Sequence, residues 1–196
     1  MYWGDSDASV SFCEDKYNVL PYVAEYYNTM SAISYLIVGL ILRNFTKLKK
    51  ISNSILFLGV GTMLLHGTLR RYGQWVDECG MLSFSYDVIV EFRRRINKTT
   101  NNLFFVFLIC SYFMLVKFHF FVLLFLGLQL YIFFLSNKSY KNTREKLLIQ
   151  AYGVVFIISM ILWVLDQFYC SYTKNLQFHA LWHVGTSISI LLGCLT

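Results

Sequence analysis

Hydrophobic positions along this chain fall into long, nearly unbroken runs rather than into one-sided stripes. Seven such blocks are read within a few residues at each end: 22–43, 52–69, 75–91, 102–117, 119–136, 146–166 and 177–196. Each is close to the ~20 apolar residues that carry a helix across a hydrocarbon core of about 30 Å. The pattern predicts an all-α protein, a bundle of seven transmembrane helices. The third block is the weakest, because it holds Asp77, Glu78, Asp87 and Glu91. The fourth and fifth are parted only near Lys117-Phe118-His119. One helix through both would overrun a membrane, so a hairpin is expected there.

The polar breaks between blocks predict an orientation. In chain order, from the N-terminal segment onward, they carry 1, 4, 2, 4, 1, 4 and 1 lysines and arginines, so that 12 of the 17 lie on one side. The excess of positive charge marks the cytosolic side. The N-terminus is then lumenal or extracellular and the C-terminus cytosolic. Residues 1–21 read as a polar lumenal segment and 22–196 as the bundle, together one membrane domain. Residues 1–28 are acidic and tyrosine-rich, unlike a basic region followed by a short apolar stretch. The first span is therefore expected to serve as its own insertion signal. The last block ends at Thr196, so no cytosolic tail is expected. Glycosylation-type sequons at Asn44, Asn97 and Asn137 all fall on the cytosolic side and are expected to be unused.

Composition agrees with this picture. Hydrophobic residues make up 57% of the 196 and charged residues only 14%, against roughly a quarter charged in soluble domains. There is one proline, Pro21, and no repeat or low-complexity linker. The net charge of +6 is spread in short clusters between apolar blocks. It forms no basic face, which argues against nucleic acid as a partner. The partner that the pattern demands is a lipid bilayer, expected to be endomembrane, in the endoplasmic reticulum or Golgi.

Ionisable groups inside membrane helices are costly and tend to mark function. The topology, derived without them, places His66, Asp77, His179 and His183 at a similar depth near the lumenal side. His179 and His183 form an i,i+4 pair, which shares one helix face and has the spacing of a zinc-binding pair. A third ligand from another helix, with His66 the best candidate, leaves a fourth position open as in catalytic zinc sites. Thr62 lies one turn before His66 on the same face, where its hydroxyl would reach the reacting groups. Taken one at a time, these residues also fit plainer roles. The histidine pair and His66 suit hydrogen-bonded packing, and Asp77 beside Glu78 suits a solvated helix start. Their convergence favours a metal. His119 has no partner spacing and reads as interfacial.

These residues carry a resemblance. Tyr2-Trp3-Gly4, Phe12-Cys13-Glu14, Ala24-Glu25-Tyr26-Tyr27-Asn28-Thr29, His66-Gly67-Thr68-Leu69, Asp77-Glu78, Met81, Trp163, Asp166, Cys170 and Phe178-His179-Ala180-Leu181-Trp182-His183 resemble the alkaline ceramidases. That family lies within the seven-helix membrane hydrolases that include the adiponectin receptors. Residues 92–160 match only in hydropathy. The resemblance implies hydrolysis of the amide of ceramide-type lipids to a sphingoid base and a fatty acid. It implies zinc held by His66, His179 and His183, with Asp77 as general base and Thr62 in the place of the family's serine. It also implies calcium at Ser11, Phe12, Glu14, Lys16 and Glu25, with Phe12 and Lys16 contributing main-chain carbonyls. Ser11 and Lys16 depart from that pattern, replacing an aspartate and an asparagine, and the lysine ammonium is an alternative to the ion by pairing with Glu14. Finally, it implies a disulfide between Cys13 and Cys170. Cys79, Cys110 and Cys194 read as buried thiols. Alternatives left open are a hydrolase of another lipid, a receptor-like or structural seven-helix protein, and a transporter using Asp87.

Overall fold

The computed structural model describes residues 2–115 and 118–196. It is all-helical, with no strand among the described residues. The helices are α1 (Tyr26–Ser31), α2 (Ile33–Arg43), α3 (Lys49–Thr68), α4 (Arg71–Arg95), α5 (Asn102–Leu115), α6 (Phe118–Ser139), α7 (Thr143–Phe168), the single turn α8 (Cys170–Thr173) and α9 (Phe178–Cys194). Each of the seven expected blocks coincides with helix. The first is broken at Ala32 into α1 and α2. Phe118 and His119, expected in a turn, open α6 instead, while Lys117 lies outside the described residues.

Three helical segments, Thr46–Thr68, Phe118–Ser139 and Thr143–Phe168, are long and apolar enough to cross a membrane. Asn102–Met114 and Phe178–Cys194 are apolar but shorter. Beside an apolar core that includes Leu42, Ile55, Leu82 and Ile89, the interior takes in many polar side chains. Glu25, Asn28, Ser52, His66, Ser85 and Ser136 are fully buried, while Leu103, Phe107, Met114, Leu130 and Ile157 stand exposed. Polar groups inside and large aliphatic groups outside match a chain whose surroundings are apolar.

Local sequence explains the joints. At the start of α7, Asn142 accepts from the Glu145 amide at 2.9 Å, and the Glu145 carboxylate accepts from Asn142 Nδ2 at 3.0 Å and from the Lys141 amide at 2.7 Å. This reciprocal cap satisfies donors that a helix start leaves free. α3 stops where Leu69 takes a left-handed conformation (φ 53°) and returns its amide to Leu65 O. Arg70 is extended, and α4 then runs back along α3.

Three glycines, Gly61 on α3 and Gly73 and Gly80 on α4, set how closely α3 and α4 approach. A Cβ on Gly61 would lie 2.7 Å from the Asp77 amide nitrogen, and one on Gly80 would lie 2.8 Å from Leu58 Cα. Only hydrogen at these positions lets the two backbones meet. α7 packs along α9, α2 along α3 and α4 along α6. The N-terminal segment crosses the α3–α4 turn as a strap. Ala8 N donates to Leu69 O (3.2 Å), Ser9 N to Gln74 Oε1 (2.8 Å) and the Arg71 amide to Asp7 Oδ1 (2.6 Å).

Candidate metal centre

His66 is carried on the last turn of α3, and His179 and His183 lie on the first two turns of α9. All three are buried, and one ligand nitrogen from each falls within 4.8 Å of the other two. The ring centroids are 4.6–4.9 Å apart. Three buried imidazoles gathered at this distance can each direct one nitrogen lone pair at a single cation.

Hydrogen bonding fixes which nitrogen two of the rings offer. His66 Nδ1 lies 2.5 Å from Glu25 Oε2. A carboxylate only accepts, so Nδ1 carries the proton and Nε2 is left with its lone pair. Ser31 Oγ donates to Asn28 O at 2.8 Å and therefore accepts from His183 Nδ1 at 2.7 Å. His183 Nε2 is likewise left free. His179 Nδ1 is buried with no partner among the described residues. Partners on the far nitrogen are the usual way a metal-binding histidine is oriented. The donor set and the unpaired nitrogen fit a zinc ion. Phe12 covers two of the rings, its centroid 4.8 Å from that of His66 and 3.9 Å from that of His179.

Asp77, on the second turn of α4, reaches the same place because of the close approach at Gly61. Thr62 Oγ1 lies 2.5 Å from Asp77 Oδ1 and 2.9 Å from Leu58 O. The threonine hydroxyl thus points at the carboxylate. Asp77 stands at the junction of two cavities. Both are lined by Asp77, Met81, Phe125 and Trp182. One runs between Tyr35, Phe84, Tyr152 and Cys194. The other includes the three histidines and opens toward Phe118 and Trp163.

The calcium set assembles differently. Lys16 Nζ donates to Phe12 O at 2.7 Å and pairs with Glu25 Oε1. The partner is Glu25, not Glu14, and Lys16 contributes its side chain rather than its carbonyl. Glu14 accepts from the Tyr27 and Asn28 amides at 2.7 and 2.8 Å, capping the start of α1. Burial pushes its carboxyl above the usual range, against the pull of those two amides. Ser11 is exposed and lines a separate cleft with His119 and Gln167. Calcium takes about 6–8 oxygen ligands, and here all four carboxylate oxygens of Glu14 and Glu25 already accept hydrogen bonds. The residues present do not fit calcium.

Cys13 and Cys170 are joined in a disulfide, with Cα atoms 5.3 Å apart. It ties the strap to the turn that follows α7. Of the remaining cysteines, Cys194 is buried and Cys79 half-buried, but Cys110 is exposed, on a face of α5 that the sequence pattern could not distinguish. His119 is exposed. Asp87 pairs with Ser54 on α3, away from the histidines. Nothing in the sequence pattern marks Ser31 as the partner of His183. Glu25 was legible only as an acid of the N-terminal motif, not as the partner of His66.

A family model described as Ceramidase matches residues 4–196. The chain belongs to the ceramidase family. Similar ceramidases include "Alkaline ceramidase" of Arabidopsis thaliana, 28% identical over 96% of this chain and 82% of that protein. "Alkaline ceramidase 3" of Mus musculus is 25% identical over 99% and 84%. "Alkaline ceramidase 1" of Homo sapiens is 26% identical over 96% and 81%.

Proposed function

We propose that this chain is a membrane-embedded, zinc-dependent amide hydrolase that cleaves ceramide-type lipids to a sphingoid base and a free fatty acid. The observation that carries the reading is the meeting of two largely apolar cavities at Asp77, beside three converging histidines. A two-tailed lipid lodged with one chain in each cavity presents its polar linkage at that junction. The bundle is read as seven spans, with the histidine end lumenal and the Arg93–Arg95 end cytosolic. Its site is within reach of a lipid that never leaves the bilayer, in an endomembrane such as the endoplasmic reticulum or Golgi.

His66 Nε2, His183 Nε2 and His179 would hold the zinc. When bound there, zinc polarises a carbonyl and lowers the pKa of water to about 7. The remaining work belongs to the protein. Asp77 takes the proton of the attacking water and returns it to the departing amine. Thr62, donating to Asp77 Oδ1, holds that carboxylate in register. Phe12 and Trp182 close the space around the imidazoles against bulk water.

The test is metal analysis and fatty-acid release from a ceramide panel. Wild type is expected to hold about one zinc per chain and to release fatty acid. His183→Ala loses both. Asp77→Asn keeps the metal and loses activity by about 10²–10⁴-fold. Turnover of another lipid amide or ester, with none on ceramide, would reassign the substrate. Full turnover by Asp77→Asn would remove that residue from the chemistry.

A further inference from the structure

The cluster around Lys16 has a geometry that the hydrolytic chemistry does not require. The chain turns back on itself after Lys16. Tyr17 adopts a left-handed backbone (φ 57°), and its amide donates to Ala24 O at 2.7 Å. The turn aims the ammonium inward, onto Phe12 O and the Glu25 carboxylate. Glu25 is completely buried, and a buried carboxylate needs an opposite charge or several donors. Its second oxygen is engaged by Asn28 Nδ2 at 3.1 Å and by His66 Nδ1 at 2.5 Å. The Glu25 and Ala24 amides in turn donate to His66 O and Gly67 O, both at 2.9 Å. Glu25 is thus clasped to the end of α3 by main chain and side chain together.

We propose that the Lys16 ammonium is a built-in cation, standing where the resemblance places calcium, and that it orients His66 through Glu25 without any added ion. The charge arithmetic supports this. One ammonium balances one carboxylate, whereas a divalent ion in the same cage would face Lys16 at contact distance. A bound metal ion in that cage could also be lost by exchange, while a side chain cannot. Lys16 is a positioning residue: it touches Glu25, Glu25 touches His66, and His66 offers Nε2 to the zinc. This extends the zinc reading above, but its calcium arm is independent of hydrolysis.

The experiment uses the purified full chain in detergent and metal-depleted buffers. Calcium binding is followed by equilibrium dialysis with labelled calcium, and the thermal midpoint is recorded from zero to 1 mM added calcium, roughly the weak end of biological calcium sites. Wild type is expected to bind no stoichiometric calcium and to show no saturable shift. One calcium per chain, or a saturable rise in midpoint, overturns the proposal. In the second arm, zinc affinity is measured by chelator competition for wild type, Lys16→Met and Lys16→Arg. Lys16→Met is expected to weaken zinc about 10–100-fold, the usual cost of removing an outer-shell partner, and Lys16→Arg to restore most of it. Unchanged affinity in Lys16→Met overturns the proposal. If Lys16→Met does not fold, the wild-type calcium arm and Lys16→Arg still decide it. Absence of ceramide hydrolysis with both arms as expected would count against the proposed activity and not against Lys16.

Discussion

The part of the molecule built from the strap, α3, α4 and α9 is held by contacts within the chain, whereas α5 and α6 are shaped as much by what lies outside it. In the first region the backbones of α3 and α4 touch through Gly61 and Gly80, and buried polar groups are paired: Thr62 with Asp77, His66 with Glu25, Ser31 with His183. In the second, Leu103, Phe107, Met114 and Leu130 face outward, and Gly127 has nothing within 4 Å of the space a Cβ would take. Both regions are helical and both are hydrophobic. The difference is that one places polar atoms in fixed pairs, and the other presents an apolar surface and leaves room between its helices.

Matched substitutions test that difference. Gly61→Ala should have the largest effect, because its Cβ meets main-chain atoms of Asp77 that cannot swing aside. Overpacking of this kind costs about 1–3 kcal/mol, and a displaced Asp77 is expected to lower lipid-amide turnover on the order of 10²-fold. A melting curve and a turnover assay read both, and wild-type values in the two would refute the close approach. Ser31→Ala is expected to be milder. It removes the acceptor for His183 Nδ1 and should weaken zinc about 10–100-fold, read by chelator competition. Gly127→Ala should be the smallest. With open space around it, the change is expected to be neutral or stabilising by about 1 kcal/mol through helix propensity. A large loss of stability there would show that α6 is packed more tightly than described.

The same contrast explains what could be read from sequence. Apolar runs located the seven long helical stretches to within a few residues, since a lipid-facing helix must be apolar regardless of its neighbours. The four candidate residues His66, Asp77, His179 and His183 were also legible, because ionisable side chains in such runs are few. The break at Ala32 was not, since no proline or glycine marks it; beside it Ser31 contacts His183 on α9. The path of residues 2–25 was legible only at Cys13, through the disulfide to Cys170 that the resemblance implies. Its contacts are individual hydrogen bonds to Leu69, Gln74 and the Arg71 amide, which have no periodicity. The role of Lys16 was visible only as a departure from a pattern, and its partner emerged from the turn at Tyr17.

The disulfide closes a ring of chain from Cys13 to Cys170, and the imidazoles come from position 66 and from positions 179 and 183. No single segment owns the histidine cluster, so the three rings meet only once α9 has packed against the end of α3. Any ion held by this set would therefore be acquired late, after both ends of the chain have been made and brought together.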